Sequence, residues 1–220
     1  MPIAMLPGKP HERLHRALSN EGRDEIVAIG LKDACNDDGA TSFLRGRGYR
    51  NGDGADGGGD GGAGEPDSSG SHRGKRRECE AWPTLVIEAS NSSTLADLRK
   101  DMQWWFSASD HQVKMVLLAK LDRAGRKIIL KWVETTPPSR EGPVTRAAQK
   151  ANAQEITIDW IHGTAPETPT SHTVTSGDLQ PEFDLLFLRP PGPAEGDFLI
   201  AAHVDQQSKA SQVKTARNRE

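Results

Sequence analysis

Aromatic side chains are scarce in this sequence, at 5% of 220 residues, and the whole hydrophobic set reaches only 35%. With a mean hydropathy of −0.65, these values fall short of what a chain packed from end to end would carry. Part of it is therefore expected to stay outside any core. Long apolar runs are missing too. Nothing approaches the roughly 18–20 residues of a membrane span, and the opening MPIAMLPGKPHERLH holds no apolar stretch of the signal-peptide kind. Cysteine is nearly absent. Cys35 and Cys79 stand 44 positions apart, too few for a disulfide framework or a zinc ribbon, and a reducing compartment suits them. No charge sign dominates either: 28 basic against 31 acidic residues exert no global pull on nucleic acid or on an anionic membrane. The expectation is a soluble, intracellular protein of the cytoplasm or nucleus, with one domain and no membrane partner. Composition leaves its oligomeric state and chemistry open.

What is abundant is glycine, and it is concentrated. Ten of the nineteen residues from 46 to 64 are Gly, with Asp53, Asp56 and Asp60 among them. Glycine loses the most entropy on ordering and brings no side chain to bury, so this stretch reads as a flexible insert. Calcium-binding nonapeptide repeats would need an apolar position in each repeat, which is lacking here. The basic run His72-Arg-Gly-Lys-Arg-Arg77 extends the insert, giving 46–81 as a flexible, Gly-rich and basic segment within a domain spanning 10–205. Residues 206–220 are expected to form a disordered tail.

Around the insert, periodicity predicts elements. Leu14, Ala17, Leu18, Ile26, Val27 and Ile29 recur at helical spacing from Pro10 to a stop at Gly30, with Gly22 as a break that permits two pieces. Residues 83–89 (PTLVIEA) form a nearly continuous apolar strand suited to burial on both faces. Ser90–Thr94 is a turn with capping residues. A helix follows, with Leu95, Leu98, Met102, Trp105 and Phe106 on one face. Residues 111–121 and 127–134 read as strands joined by a tight turn, 135–152 as a linker, 155–161 as an alternating strand, 163–171 as a loop, and 183–188 as an apolar segment packing on the core. The sum is an α/β architecture with a mixed sheet flanked by helices.

Glu88 draws attention by position. It closes an otherwise apolar strand, where a carboxylate is costly unless paired, hydrogen-bonded or metal-bound. It is either a functional group or a partly solvated carboxylate bonded to the Ser-Asn-Ser-Ser turn. Upstream, Pro66-Asp67 precedes it by about twenty residues. A Pro-Asp pair followed by a strand ending in Glu resembles the PD-(D/E)XK superfamily, the restriction-endonuclease-like fold. The stretch WPTLVIEASNSSTLADLRKDMQWWFSASDHQVKMVLLAKL, with the later TVTSGDLQPEFDLLFLRPPGPAEGD, resembles an uncharacterised branch of that fold. The likeness covers most of residues 10–205, the glycine insert being extra. It implies a nuclease in which Asp67 and Glu88, with the backbone carbonyl after the glutamate, hold Mg²⁺ or Mn²⁺ for phosphodiester hydrolysis of nucleic acid. The superfamily's lysine, two residues after the glutamate, is Ser90 here, and serine supplies no positive charge to the transition state. Lys100, on the following helix, and Lys114, on the next strand, are the candidate stand-ins, each otherwise a solvated surface charge. The alternative on the same fold is a catalytically inactive binding module.

A rival motif lies near the N-terminus. His11-Glu12-Arg13-Leu14-His15 spells H-E-x-x-H, which on a helix places two histidines on one face for zinc. No upstream strand to bind a peptide and no third ligand accompany it, so the preferred reading is a helix face with His15 near the core and Glu12 leaning toward Asp67 and Glu88. The run His72–Arg77 is either a phosphate contact or a solvated loop. Trp104, Trp105, Trp132 and Trp160 read as packing groups.

Overall fold

The computed structural model of the protein describes residues 10–44, 48–49, 62–76, 81–134, 152–161, 172–175, 179–193 and 195–197. Residues 1–9, most of the glycine run (50–61), the linker 135–151, the loop 162–171, the tail 206–220, Arg77 and Cys79 lie outside the described residues.

Helix α1 (Pro10–Ala28) opens with a proline, whose fixed φ suits a first helical position, and passes through Gly22 as one helix. A helical glycine costs about 0.5–1 kcal/mol against alanine, less than is gained by burying Leu14 and Leu18. Gly30 ends the segment with φ 80°. Strands β1 (Cys35–Asp37), β2 (Phe43–Leu44), β3 (Gly48–Tyr49), β4 (Ala63–Gly64), β5 (Ser68–His72) and β6 (Leu85–Ser90) follow. Helix α2 (Leu95–Ala108) starts from a complete capping box, in which Thr94 accepts from the Asp97 N–H and Asp97 accepts from the Thr94 N–H. Strands β7 (Met115–Asp122), β8 (Lys127–Glu134), β9 (Asn152–Trp160) and β10 (His172–Thr175) and the short helix α3 (Phe183–Phe187) complete the set.

Seven strands form one mixed sheet in the order β1-β5-β6-β7-β8-β9-β10, and β2, β3 and β4 form a second, three-stranded sheet. In the large sheet β6 and β7 run parallel, joined through α2, and the other neighbours are antiparallel. The chain is thus α/β, with helices flanking the large sheet. Alternation along β6 divides the core: Ile87 and Ala89 pack toward α1 and α3, with Leu14, Leu117, Trp132 and Phe183, whereas Val86 packs toward α2, with Leu98, Trp105, Phe106 and Phe43 of β2. Among the described residues no helix is long and apolar enough to cross a membrane.

One expectation is corrected here. Ser68–His72 falls within the segment read as a flexible insert, yet it forms β5, a buried interior strand of the large sheet. Its sequence, Ser-Ser-Gly-Ser-His, has no apolar period to detect. Burial is tolerated because the polar groups are satisfied. Ser68 Oγ lies 2.9 Å from His15 Nδ1, the Ser69 hydroxyl donates to the Gly39 carbonyl at 2.8 Å, and His72 Nδ1 accepts from the Gly74 and Lys75 N–H groups at 3.0 Å each. The described end of the glycine run is also packed, with Gly62 and Gly64 lying against the Trp104 ring. Strands β1 and β10 and the small sheet went unpredicted. They are short, as few as two residues, and too brief to show a period.

Candidate carboxylate site and its neighbours

The register of β5 on β6 ends with Ser68 opposite Ile87, and Asp67 immediately precedes that pair. Asp67 Oδ2 accepts the Ala89 N–H at 2.7 Å, which fastens the carboxylate beside the last residues of β6. Its Oδ1 lies 3.0 Å from His11 Nε2 on α1. Glu88 points to the opposite face from Ile87, toward α2, where the Trp105 indole N–H donates to its Oε1 at 2.6 Å. Its partner is thus the helix, not the Ser-Asn-Ser-Ser turn. That turn is held by Ser90, whose hydroxyl accepts the Ser93 N–H at 2.8 Å.

Electrostatics at this point are those of crowded acids. Burial pushes the Glu88 carboxyl up to about 8; the Trp105 N–H works against this, and the charges of Asp67 and Asp101 add to it. Asp101 is raised as well, by burial first, then by Asp97 and Asp67, with Lys100 opposing. Three carboxyls therefore share one region, which favours taking up positive charge, as protons or as a cation.

The candidate lysines lie elsewhere. Lys100 is on α2 but turns outward, its Nζ 2.8 Å from Asp97 Oδ1 and most of its side chain in solvent. Lys114 sits beyond the start of β7, and because β7 runs parallel to β6 with Glu88 opposite Leu118, it is four residues, roughly 13 Å, from the level of Glu88. Its ammonium donates to the His111 carbonyl at 2.7 Å and feels the charge of Arg76. The described part of the basic run is at that far end too. Arg76 donates to the Gln112 side chain and carbonyl at 2.6 and 3.0 Å, and Arg73 donates to Asn36 at 2.9 Å.

Two residues that sequence reasoning passed over stand near this end of the sheet, Lys120 and Asp101. Lys120 is paired with Ser90 across the parallel β6–β7 ladder, so both fall on the α2 side, and the Lys120 ammonium donates to the Asn91 carbonyl at 2.9 Å. It stands level with Ser90, on the neighbouring strand. Asp101 stands one helical turn before Trp105, and that four-residue spacing was its signal. Lys120 had no comparable signal, because strand register is not written in local sequence.

The H-E-x-x-H segment is on the α1 side of the same corner. His15 is buried, 5% exposed, as its core reading required. Ring or carboxylate atoms of His11, Glu12 and His15 all lie within 4.8 Å of one another.

No family model matches the chain, and no curated protein matches it either.

Proposed function

We propose that the chain is a restriction-endonuclease-like domain of the PD-(D/E)XK type that hydrolyses phosphodiester bonds of nucleic acid with the help of Mg²⁺ or Mn²⁺. The observation that carries this reading is the juxtaposition at one end of the sheet: Asp67 fastened to the Ala89 N–H beside Glu88, and Lys120 across from Ser90. The donor set is chemically suited to a hard cation, since Asp67, Glu88 and Asp101 offer carboxylate oxygens in a partly buried corner. Asp67 and Glu88 would hold the ion, and when bound it supplies Lewis-acid polarisation of a phosphoryl oxygen and acidifies bound water.

The chain's own groups have separable tasks. Trp105 orients Glu88, and the Ala89 N–H and His11 orient Asp67. Lys120 carries the positive charge that Ser90 lacks; exchanging its Asn91 carbonyl for a phosphate oxygen would let it stabilise charge developing in the transition state. A second reading, an inactive binding module on the same fold, is favoured by the commitments already made: Ser90 holds the turn, and Lys120 is bonded to the Asn91 carbonyl.

The test combines thermal shift with cleavage of single- and double-stranded DNA and RNA in Mn²⁺. The expected result is stabilisation by Mn²⁺ that Glu88→Gln abolishes and Lys120→Met retains, with cleavage lost in both variants. Identical Mn²⁺ responses in wild type and Glu88→Gln would refute the metal site. A shift without cleavage in the wild type would support the inactive module, and cleavage gained in Ser90→Lys would then identify the missing cation as the cause.

A further inference from the structure

The carboxylate reading uses only His11 of the H-E-x-x-H segment, behind Asp67, and leaves Glu12 and His15 without a task, although all three converge. His11 and His15 stand four apart on α1, so their rings leave the same face. His15 Nε2 is 3.2 Å from Glu12 Oε2. That is close to the roughly 3.4 Å separating two ligands around a tetrahedral ion bound at about 2.0–2.1 Å.

Each donor is also held from behind. Arg16 takes Glu12 Oε1 at 2.6 Å, which leaves Oε2 turned toward His15. Ser68 Oγ lies 2.9 Å from His15 Nδ1. In the tautomer protonated at Nδ1, His15 donates to Ser68 and presents its Nε2 lone pair to Glu12. Two lone-pair carriers at that distance need a positive charge between them, a proton or a metal. His11 has its own outer carboxylate in Asp67, 3.0 Å from Nε2. Hydroxyl and carboxylate partners of this kind are what metal-binding imidazoles ordinarily have. A cavity of about 530 Å³, lined by Glu12, His15, Asp67 and Ser68 among others, leaves room for water or a further ligand.

We propose that His11, Glu12 and His15 bind one divalent cation of the Zn²⁺ or Co²⁺ class, with Asp67 and Ser68 orienting the two imidazoles. Two imidazole nitrogens and one carboxylate suit such an ion and discriminate against Mg²⁺, which prefers all-oxygen surroundings. The site goes beyond the phosphodiesterase reading and does not depend on it. Asp67 touches both places and His11 is bonded to it, so their variants cannot separate the two sites, whereas Glu12 and Glu88 can.

The experiment is titration of the untagged full chain with Co²⁺, followed by its visible absorption, and with Zn²⁺ by calorimetry. The expected result is one equivalent of Co²⁺ bound in the presence of a large excess of Mg²⁺, which occupies the carboxylate site, and displaced by Zn²⁺. Because His15 is buried, the diagnostic variants are His11→Ala and Glu12→Gln on partly exposed side chains. Each should weaken Co²⁺ binding at least about tenfold, the loss known even for residues that only support a ligand, while Glu88→Gln leaves it intact. Absence of Co²⁺ binding by the wild type, affinity unchanged in both His11→Ala and Glu12→Gln, or ready displacement by Mg²⁺ would overturn the proposal. A Mn²⁺ response indifferent to Glu88→Gln, alongside Co²⁺ binding lost in Glu12→Gln, would sink the phosphodiesterase site and leave this one standing.

Discussion

Replacing Glu88 with glutamine should stabilise the metal-free protein, and by an amount that grows with pH. In the unfolded chain the carboxyl ionises near 4.5, and in the native protein near 8, with burial as the main cause. Between those values the native state holds a proton that the unfolded state has released, so stability falls as pH rises. Below 4.5 both states are protonated and the carboxyl costs nothing; above 8 the cost is complete. At about 1.4 kcal/mol per pH unit across that interval, the full penalty is about 3–5 kcal/mol, the lower figure allowing for water at a side chain that is only part-buried. Glutamine keeps the Oε1 that accepts the Trp105 N–H and cannot ionise. Urea unfolding of both proteins in EDTA, from pH 5 to pH 8.5, isolates this term, because most other titrating groups cancel in the difference. The two curves should nearly coincide at pH 5 and diverge steadily. By pH 8.5 the variant should be more stable by about 3 kcal/mol or more, which a thermal scan at that pH would read as at least about 6 °C, at roughly 2–4 °C per kcal/mol for a domain of this size. Parallel stability curves across the whole range would refute the claim that burial holds a proton on Glu88.

Other outcomes follow from the packing. Ile87 is 3% exposed in the α1-side core, and Ile87→Ala should lower stability by about 2–5 kcal/mol in the same urea assay; a near-neutral result would contradict its interior position. Gly64→Ala should destabilise measurably, since a Cβ there would run into the Trp104 ring, whereas Gly22→Ala, with open space around it, should be neutral or stabilising by up to about 1 kcal/mol. Thr94→Ala removes the side-chain half of the α2 capping box and should cost about 1 kcal/mol, read as a lower melting temperature.

Sequence alone determined the elements that have a period or a chemical boundary. The apolar run of β6, the stripe of Leu98, Trp105 and Phe106 on α2, the Thr94 cap and the β7–β8 turn are local facts. Local spacing and φ/ψ preference suffice to state them. Glu88 was legible in the same way, as an acid closing an apolar strand, whereas Asp67 was singled out only through the resemblance that its Pro-Asp pair carries. Tertiary structure decided what depends on neighbours distant in the chain. It made an interior strand of Ser68–His72, whose small polar side chains carry no pattern and become buried only because His15, Gly39 and Phe187 come to meet them. Lys100 was turned out to Asp97, and Lys114 was left at the far end of β7. Lys120 was brought level with Ser90, because the parallel register of two strands separated by a helix settles which residues face each other. And it gathered His11, Glu12 and His15 beside Asp67, joining two motifs that in the sequence lie more than fifty residues apart.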